Sequence, residues 1–251
     1  MRRLLRVVLA AGAGAVVVLG YVVATTPDVR PLRTADPERT AFMALRDAEA
    51  RAAGRPVRRE QRWVPYRRIS PHLTRAVLVS EDAAFWTHDG LDLDEIKVSL
   101  ETNLRQGRFV RGASTITQQL AKNLYLSPSK DPLRKLRELV ITRRLEAELP
   151  KRRIYELYLN VVEWGDGIYG AEAAARRHFG TSAAALGPRE AALLAGALVN
   201  PRVLIASRPD ARLLRRQRTI LARMGAPRPP RAAPSPQPDA TPALDRAAQP
   251  E

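Results

Sequence analysis

The sequence predicts a mainly α protein: one long membrane-spanning helix at the N-terminus, followed by a helical domain. Three observations carry this expectation. Residues 7–24 form an unbroken apolar run. Later segments repeat apolar residues at helical spacing between clear start and stop signals, and no stretch sustains the period-two alternation of a half-buried strand. At 251 residues the chain is long enough for one sizeable domain, since domains run to roughly 100–200 residues.

From Val7 to Ala24 every residue is apolar, glycine or tyrosine. At about 1.5 Å rise per residue this run approaches the roughly 30 Å hydrocarbon thickness of a bilayer. Arg2, Arg3 and Arg6 precede it and Asp28 follows it, so the positive-inside bias places the N-terminus in the cytoplasm and the rest of the chain outside. Val22-Val23-Ala24 loosely matches a signal-peptide cleavage site. The apolar run exceeds the usual signal core of about 7–15 residues, which favours an uncleaved anchor over residues 1–26.

Residues 27–58 are polar and rich in Arg and Ala; they read as a stalk or linker, with a short helix over 37–53 that could also be the first helix of the domain. Trp63-Val64-Pro65-Tyr66 reads as extended, and Ile69-Ser70-Pro71 leads into a helix ending at Glu81-Asp82. Residues 94–105 are amphipathic. Gly112-Ala113-Ser114 opens another helix, where Thr115 and Gln118 have capping-box spacing. Pro132 and Pro150 bracket the next. In the helix after Pro150, Ile154, Leu157, Tyr158 and Val161 share one face, and the Trp164-Gly165-Asp166-Gly167 turn ends it. Helical patterns continue over 171–177, 188–199 and 208–224. The expected domain thus spans 59–224, and the Pro/Ala/Arg-rich residues 225–251 have too few large apolar side chains to order themselves.

The absence of cysteine excludes disulfides, thiolate metal sites and cysteine nucleophiles. Forty-two Lys and Arg against 26 Asp and Glu give a net charge of +16, which attracts anionic partners such as nucleic acid, phospholipid surfaces or pyrophosphates. High-GC coding can inflate Arg, Ala and Pro together, so the charge excess by itself is weak evidence of a binding role.

Three segments carry chemistry. Glu81-Asp82 follows the apolar run Ala76-Val77-Leu78-Val79 and precedes Phe85-Trp86, His88 and Gly90. A carboxylate held against aromatic carbon is poorly solvated, and its pKa rises toward the range where it takes a proton near neutral pH. An exposed helix end fits the same residues. In the second segment, residues 112–123, a glycine-led turn enters a helix N-terminus, where unpaired N–H groups and the dipole suit a phosphate or pyrophosphate. Lys122 lies one turn after Gln118 and Gln119, opposite the core face of Ile116, Leu120 and Leu124. An ordinary capped helix has this pattern too. The third segment, residues 130–138, sets Glu138 one turn after Arg134 and three residues after Lys135; alone it reads as a solvated helix with ion pairs worth a few tenths of a kcal/mol.

Taken in order, Glu81-Asp82-x-x-Phe85-x-x-His88-x-Gly90, Gly112-x-Ser114-Thr115-Ile116-Thr117-Gln118-Gln119, Arg134-Lys135-x-x-Glu138 and Lys151-x-x-Ile154-x-Glu156-x-Tyr158-Leu159-Asn160 resemble the motifs of the peptidoglycan glycosyltransferases, glycosyltransferase family 51. Nothing resembling a penicillin-binding transpeptidase domain follows, which points to the monofunctional biosynthetic branch. The resemblance implies a lysozyme-like pair of α lobes that polymerises lipid II, joining the growing glycan to the 4-hydroxyl of the acceptor with inversion and releasing undecaprenyl pyrophosphate.

Under that resemblance Glu81 is the general base, a role contributing about 10²–10⁴-fold, with Asp82, Phe85 and His88 shaping its pocket. Ser114, Thr115, Gln118, Gln119 and Asn123 hydrogen-bond the donor, and Lys122, Lys130, Arg134 and Lys135 supply the positive field around the diphosphate. Glu138 acts there through a divalent cation, Mg²⁺, or by organising those basic residues. No organic cofactor is implied. The implied partners are lipid II, the growing lipid-linked glycan, membrane lipids and other cell-wall synthesis or division proteins, with no nucleic acid. The implied location is the bacterial inner membrane, with the catalytic domain periplasmic. Residues 106–111 have the composition of a flap over the acceptor site. Two other readings use the same residues: a lytic glycosidase acting on finished peptidoglycan, and a non-catalytic scaffold binding anionic lipid or nucleic acid through Arg212, Arg215, Arg216 and Arg218.

Overall fold

The computed structural model describes residues 1–108, 112–126 and 132–225. The expected disordered tail, Lys130 and the end of the expected flap lie outside these described residues.

Helix α1 (Arg2–Thr25) has the length and apolarity to cross a membrane, and almost none of it is covered by the rest of the protein. Its C-terminal end is tied to the domain by Arg144, which donates to the Val23 carbonyl at 2.7 Å and the Thr26 carbonyl at 2.9 Å. The Thr26 carbonyl lies just past the last turn and the Val23 carbonyl accepts only a long bond, 3.4 Å, from the Thr26 N–H, so both have capacity for the guanidinium, and a cation there also complements the dipole.

The residues expected as a stalk pack into the domain. Val29, Leu32 and Met43 are buried in the main core, Met43 from helix α2 (Ala41–Ala52), which Thr40 caps. Arg153 fastens the preceding segment by donating to the carbonyls of Leu32 and Ala35 at 2.8 and 2.7 Å. A few widely spaced apolar residues among arginines and alanines carry no periodic signal, so the sequence pattern concealed this docking.

The site-bearing helices follow as their caps dictate. Ser70 caps and Pro71 starts α3 (Pro71–Glu81). Asp92 caps α4 (Leu93–Gln106), and Gly107 closes it in the left-handed conformation. The capping box forms at α5 (Ile116–Tyr125). Next come α6 (Pro132–Glu148) and, after Pro150, α7 (Lys151–Val161).

The turn after α7 is part of a small sheet that the sequence did not announce. Strands β1 (Glu60–Gln61), β2 (Glu163–Gly165) and β3 (Ile168–Tyr169) take the order β1-β3-β2, with β1 parallel and β2 antiparallel to β3. Segments of two or three residues are too short to display alternation. Helices α8 (Ala171–Phe179), α9 (Pro188–Ala197) and α10 (Ala211–Gly225) complete the described residues.

Helix α3 packs on α9 and α10, while α5 packs against α2, α6 and α7. Between them lies an aromatic core: Phe85, Tyr155, Tyr158 and Trp164 are all buried, and the Tyr155 ring packs on Phe85 at 5.3 Å between centroids and on Tyr158 at 6.5 Å. The last residue of α3 and the first turns of α5 are thereby set against a rigid floor.

Candidate active site

Glu81 is the last residue of α3 and lines a cleft of about 700 Å³ together with Ser114, Thr115, Gln119 and Arg216. Burial of its carboxyl group pushes the pKa above the ordinary range. Three groups oppose this: the Gln119 amide, which donates to Oε2 at 3.0 Å, the Arg216 charge, and the Ser80 hydroxyl at 3.3 Å from Oε1. The charge on Asp82 adds to the rise. The carboxyl is thus hydrogen-bonded on the protein side and open to a cleft, a geometry suited to accepting a proton from a bound hydroxyl.

Gln119 is fixed from behind. The Tyr158 hydroxyl donates to its Oε1 at 3.0 Å, which settles which end of the amide faces Glu81. Tyr158 was expected only as a core residue. Its helix-face position is apolar in pattern, and nothing local in the sequence reveals that its hydroxyl reaches α5.

Asp82 and His88 do other work than expected. Asp82 is buried, and its oxygens receive the His88 Nε2 proton at 3.0 Å and the Ile116 N–H at 2.9 Å. The Gly90 N–H donates to His88 Nδ1 at 3.0 Å, which leaves Nε2 as the protonated nitrogen. Gly90 itself adopts φ +87°, and a Cβ there would meet the Thr142 methyl at 2.7 Å, so the motif's glycine is required by both conformation and space. The Glu81–Gly90 stretch is a staple that fastens the end of α3 to the start of α5. His88 binds Asp82, and Phe85 braces α7 while the Lys151 ammonium sits 4.6 Å from its ring centre; the hydrogen bonds to Glu81 come from Ser80 and Gln119.

This corrects the expected anion cradle at the α5 N-terminus. The Ile116 N–H is taken by Asp82, the Gln118 N–H by Thr115 Oγ1 at 3.2 Å, and Gln118 Oε1 accepts from the Thr115 N–H at 3.0 Å. Thr115 Oγ1 donates to the Gly90 carbonyl at 2.7 Å. Thr115, Gln118 and Asn123 are buried, and Asn123 donates to the Gln119 carbonyl at 2.8 Å. The chain's own carboxylate fills the place an external anion would take, because an aspartate 34 positions upstream folds onto the helix start. Of the residues expected to hydrogen-bond the donor, Ser114 and Gln119 face the cleft with side chains that are not buried.

Glu138 is buried on α6. Its Oε2 accepts from Arg134 at 2.8 Å and its Oε1 pairs with the Lys135 ammonium. Lys122, half-buried on the facing α5, has its pKa pushed down by burial, with the Glu138 charge opposing that fall, Arg134 and Lys135 reinforcing it, and Glu81 opposing it more weakly. Glu138 is not among the residues lining the Glu81 cleft. The link between them is α5, which presents Gln119 to Glu81 and Lys122, three residues on, to both carboxylates.

Arg216 and Arg223 of α10 also line the cleft. In the sequence Arg216 stands only within the arginine run of the scaffold alternative, and nothing singles out Arg223; the docking of α10 on α3 and α9 reveals their place.

Residues 49–225 match the family model described as Transglycosylase. The chain is 52% identical over 191 residues to the biosynthetic peptidoglycan transglycosylase of Dechloromonas aromatica (strain RCB), covering 76% of this chain and 83% of that protein. It is 56% identical over 167 residues to the protein of the same description from Aromatoleum aromaticum (strain DSM 19018 / LMG 30748 / EbN1), covering 66% and 73% respectively.

Proposed function

The chain belongs to the transglycosylase family, and from that premise we propose that it extends glycan strands by moving the growing chain from undecaprenyl pyrophosphate to the 4-hydroxyl of lipid II. Membership makes it a peptidoglycan glycosyltransferase of cell-wall synthesis with a lysozyme-like helical domain, and α1 suits a membrane anchor. The basic residues Arg2, Arg3 and Arg6 support a cytoplasmic N-terminus and a periplasmic domain.

The observation that carries the mechanism is the Glu81 carboxyl, raised in pKa by burial, held by Gln119 and open to the cleft. In the proposed step Glu81 takes the proton of the acceptor 4-hydroxyl as that oxygen bonds to the donor's anomeric carbon. The bond from that carbon to the diphosphate oxygen breaks, and the diphosphate leaves with the electron pair. Attack opposite the leaving group inverts the anomeric centre. Lys122, Arg134 and Lys135 supply positive charge for the departing diphosphate, and Ser114 and Gln119 offer polar contacts to the sugars.

Glu138 acts in this scheme by organising cations. Both of its oxygens already pair with Arg134 and Lys135, and among the described residues no cluster of three or more His, Asp or Glu side chains could hold a metal ion. A Mg²⁺ held at Glu138 would share that carboxylate with the Arg134 and Lys135 pairs and take its remaining ligands from water and the diphosphate oxygens, where it would supply further positive charge; no step is routed through it.

Polymerisation of purified lipid II by the full chain in detergent, followed by separation of glycan products, tests the proposal. Glu81→Gln is isosteric and keeps an acceptor for the Gln119 amide; it should lower kcat/KM by about 10²-fold or more while the protein still melts cooperatively. Wild-type-like polymer from that variant would remove Glu81 from the base role.

A further inference from the structure

Two arginines of α10 reach the helices that carry the site. Arg216 Nε donates to the Gly196 carbonyl of α9 at 2.9 Å, and Arg223 Nη1 donates to the Val79 carbonyl at 3.3 Å, two residues before Glu81. The second contact lies in the last turn of α3, where carbonyls lack helical partners and carry the negative end of the dipole. The first depends on close packing, since a Cβ on Gly196 would approach Leu213 Cδ1 to 3.0 Å and Arg216 Cβ to 3.5 Å. Arg216 is half-buried, lines the cleft beside Glu81, and forms no ion pair among the described residues. A half-buried guanidinium without a carboxylate partner keeps its field for whatever charge develops in the cleft.

We propose that Arg216 is a positioning residue for the reaction at Glu81: anchored on the Gly196 carbonyl of α9 and lining the same cleft, its guanidinium supplies the positive charge that holds the carboxylate ready for the acceptor's proton. The inference rests on the function proposed above and adds a residue to it.

The groups around Glu81 leave Arg216 this role. On its own helix end, Asp82 raises the Glu81 pKa and is itself engaged by His88 and Ile116. From α5, Gln119 donates a hydrogen bond, and the Lys122 ammonium is drawn more strongly by Glu138 than by Glu81. From α7, Tyr155 and Tyr158 stay protonated because burial drives both hydroxyls well above their usual range. From α4 and the residues before it, Asp92, Asp94 and Glu95 line the same cleft with negative charge, and Arg223 lines it from α10. Burial pushes the Glu81 carboxyl up, and Arg216 is the leading cation that draws it back.

The test is the pH dependence of kcat/KM for lipid II polymerisation by the full chain, with melting temperature measured for every variant. Arg216→Met should move the acidic limb to higher pH, so that its deficit is about tenfold larger near pH 5.5 than near pH 8.5. Arg216→Lys should keep the wild-type limb because it keeps the charge, and Arg215→Met, on the exposed side of α10, should superimpose on wild type. Arg216→Gln, which retains an N–H for Gly196, gives a second neutral variant in case the methionine variant does not fold. Equal deficits at all pH values, or none, in a folded neutral variant would overturn the role of Arg216. A wild-type chain that never polymerises lipid II would instead reject the function on which the inference stands.

Discussion

Asp82→Asn tests whether the Glu81–Gly90 stretch is a staple. Asp82 receives the Ile116 N–H at 2.9 Å and the His88 Nε2 proton at 3.0 Å while buried. Hydrogen bonds to a charged group contribute about 1.5–3 kcal/mol each. Asparagine keeps the volume and one acceptor oxygen; with that oxygen at the Oδ2 position, which both donors reach, the contacts lose their charge and the amide N–H groups at the Oδ1 position face the His88 Nε2–H with no acceptor. The expected loss is about 2–4 kcal/mol, one charge-assisted bond plus the cost of a buried donor without a partner. For a chain of this size each kcal/mol moves the melting temperature by about 2–4 °C, giving a fall of roughly 4–16 °C. Thermal unfolding in detergent, followed by helical circular dichroism, measures it. Ser114→Ala, at an exposed residue of the same cleft, should melt like wild type. In a His88→Ala background the Asp82→Asn cost should shrink, because one of the two donors is already gone. A melting temperature for Asp82→Asn within about 2 °C of wild type would refute the staple.

Tyr158→Phe removes the hydroxyl that orients Gln119; kcat/KM should fall about tenfold, and stability should change by only about 1 kcal/mol as read from the same melts. Gly170→Ala places a side chain at φ +82° with its Cβ 2.6 Å from the Asn160 carbonyl oxygen, and urea unfolding should register a loss of about 2 kcal/mol or more. Burial raises the folded-state pKa of Glu81 above its unfolded value, so the ionised carboxylate costs stability above that pKa and the cost disappears as pH falls through it. Glu81→Gln should therefore melt higher than wild type at neutral pH, with the difference narrowing in acid. Lys122 has a lowered pKa, chiefly from burial, so the alkaline limb of kcat/KM should lie below the range of an ordinary lysine. A limb unchanged in Lys122→Arg would detach it from this residue.

Much of the architecture was legible because its signals are local. Caps and prolines sit beside the helices they start: Ser70-Pro71, Thr115 with Gln118, and Pro132 and Pro150 all act where expected. The small sheet was not legible, since its strands are two or three residues long. Nor was the docking of residues 27–58, which rests on isolated residues such as Met43 and Leu32. Within the site, Glu81, Gln119 and the Glu138–Arg134–Lys135 cluster could be named from spacing and resemblance. The division of labour among their neighbours could not. Thr115, Gln118 and Asn123 look like polar ligands in one dimension, yet they are buried and bonded to the chain itself.

By itself the sequence determined the apolar span, the helices and the residue types available for chemistry, because hydrophobic runs, caps and charges act over a turn or two of chain. The tertiary structure decided which of those groups line the cleft and which are bonded to the chain itself. Asp82 fills the α5 N-terminus, Tyr158 turns the Gln119 amide toward Glu81, and α10 brings Arg216 into the cleft. The two hydrogen bonds join residues 34 and 39 positions apart, and Arg216 lines the same cleft as Glu81 from 135 positions further along the chain. A hydrogen bond or a field depends on distance in space, and only the packing of α3, α5, α7 and α10 sets that distance.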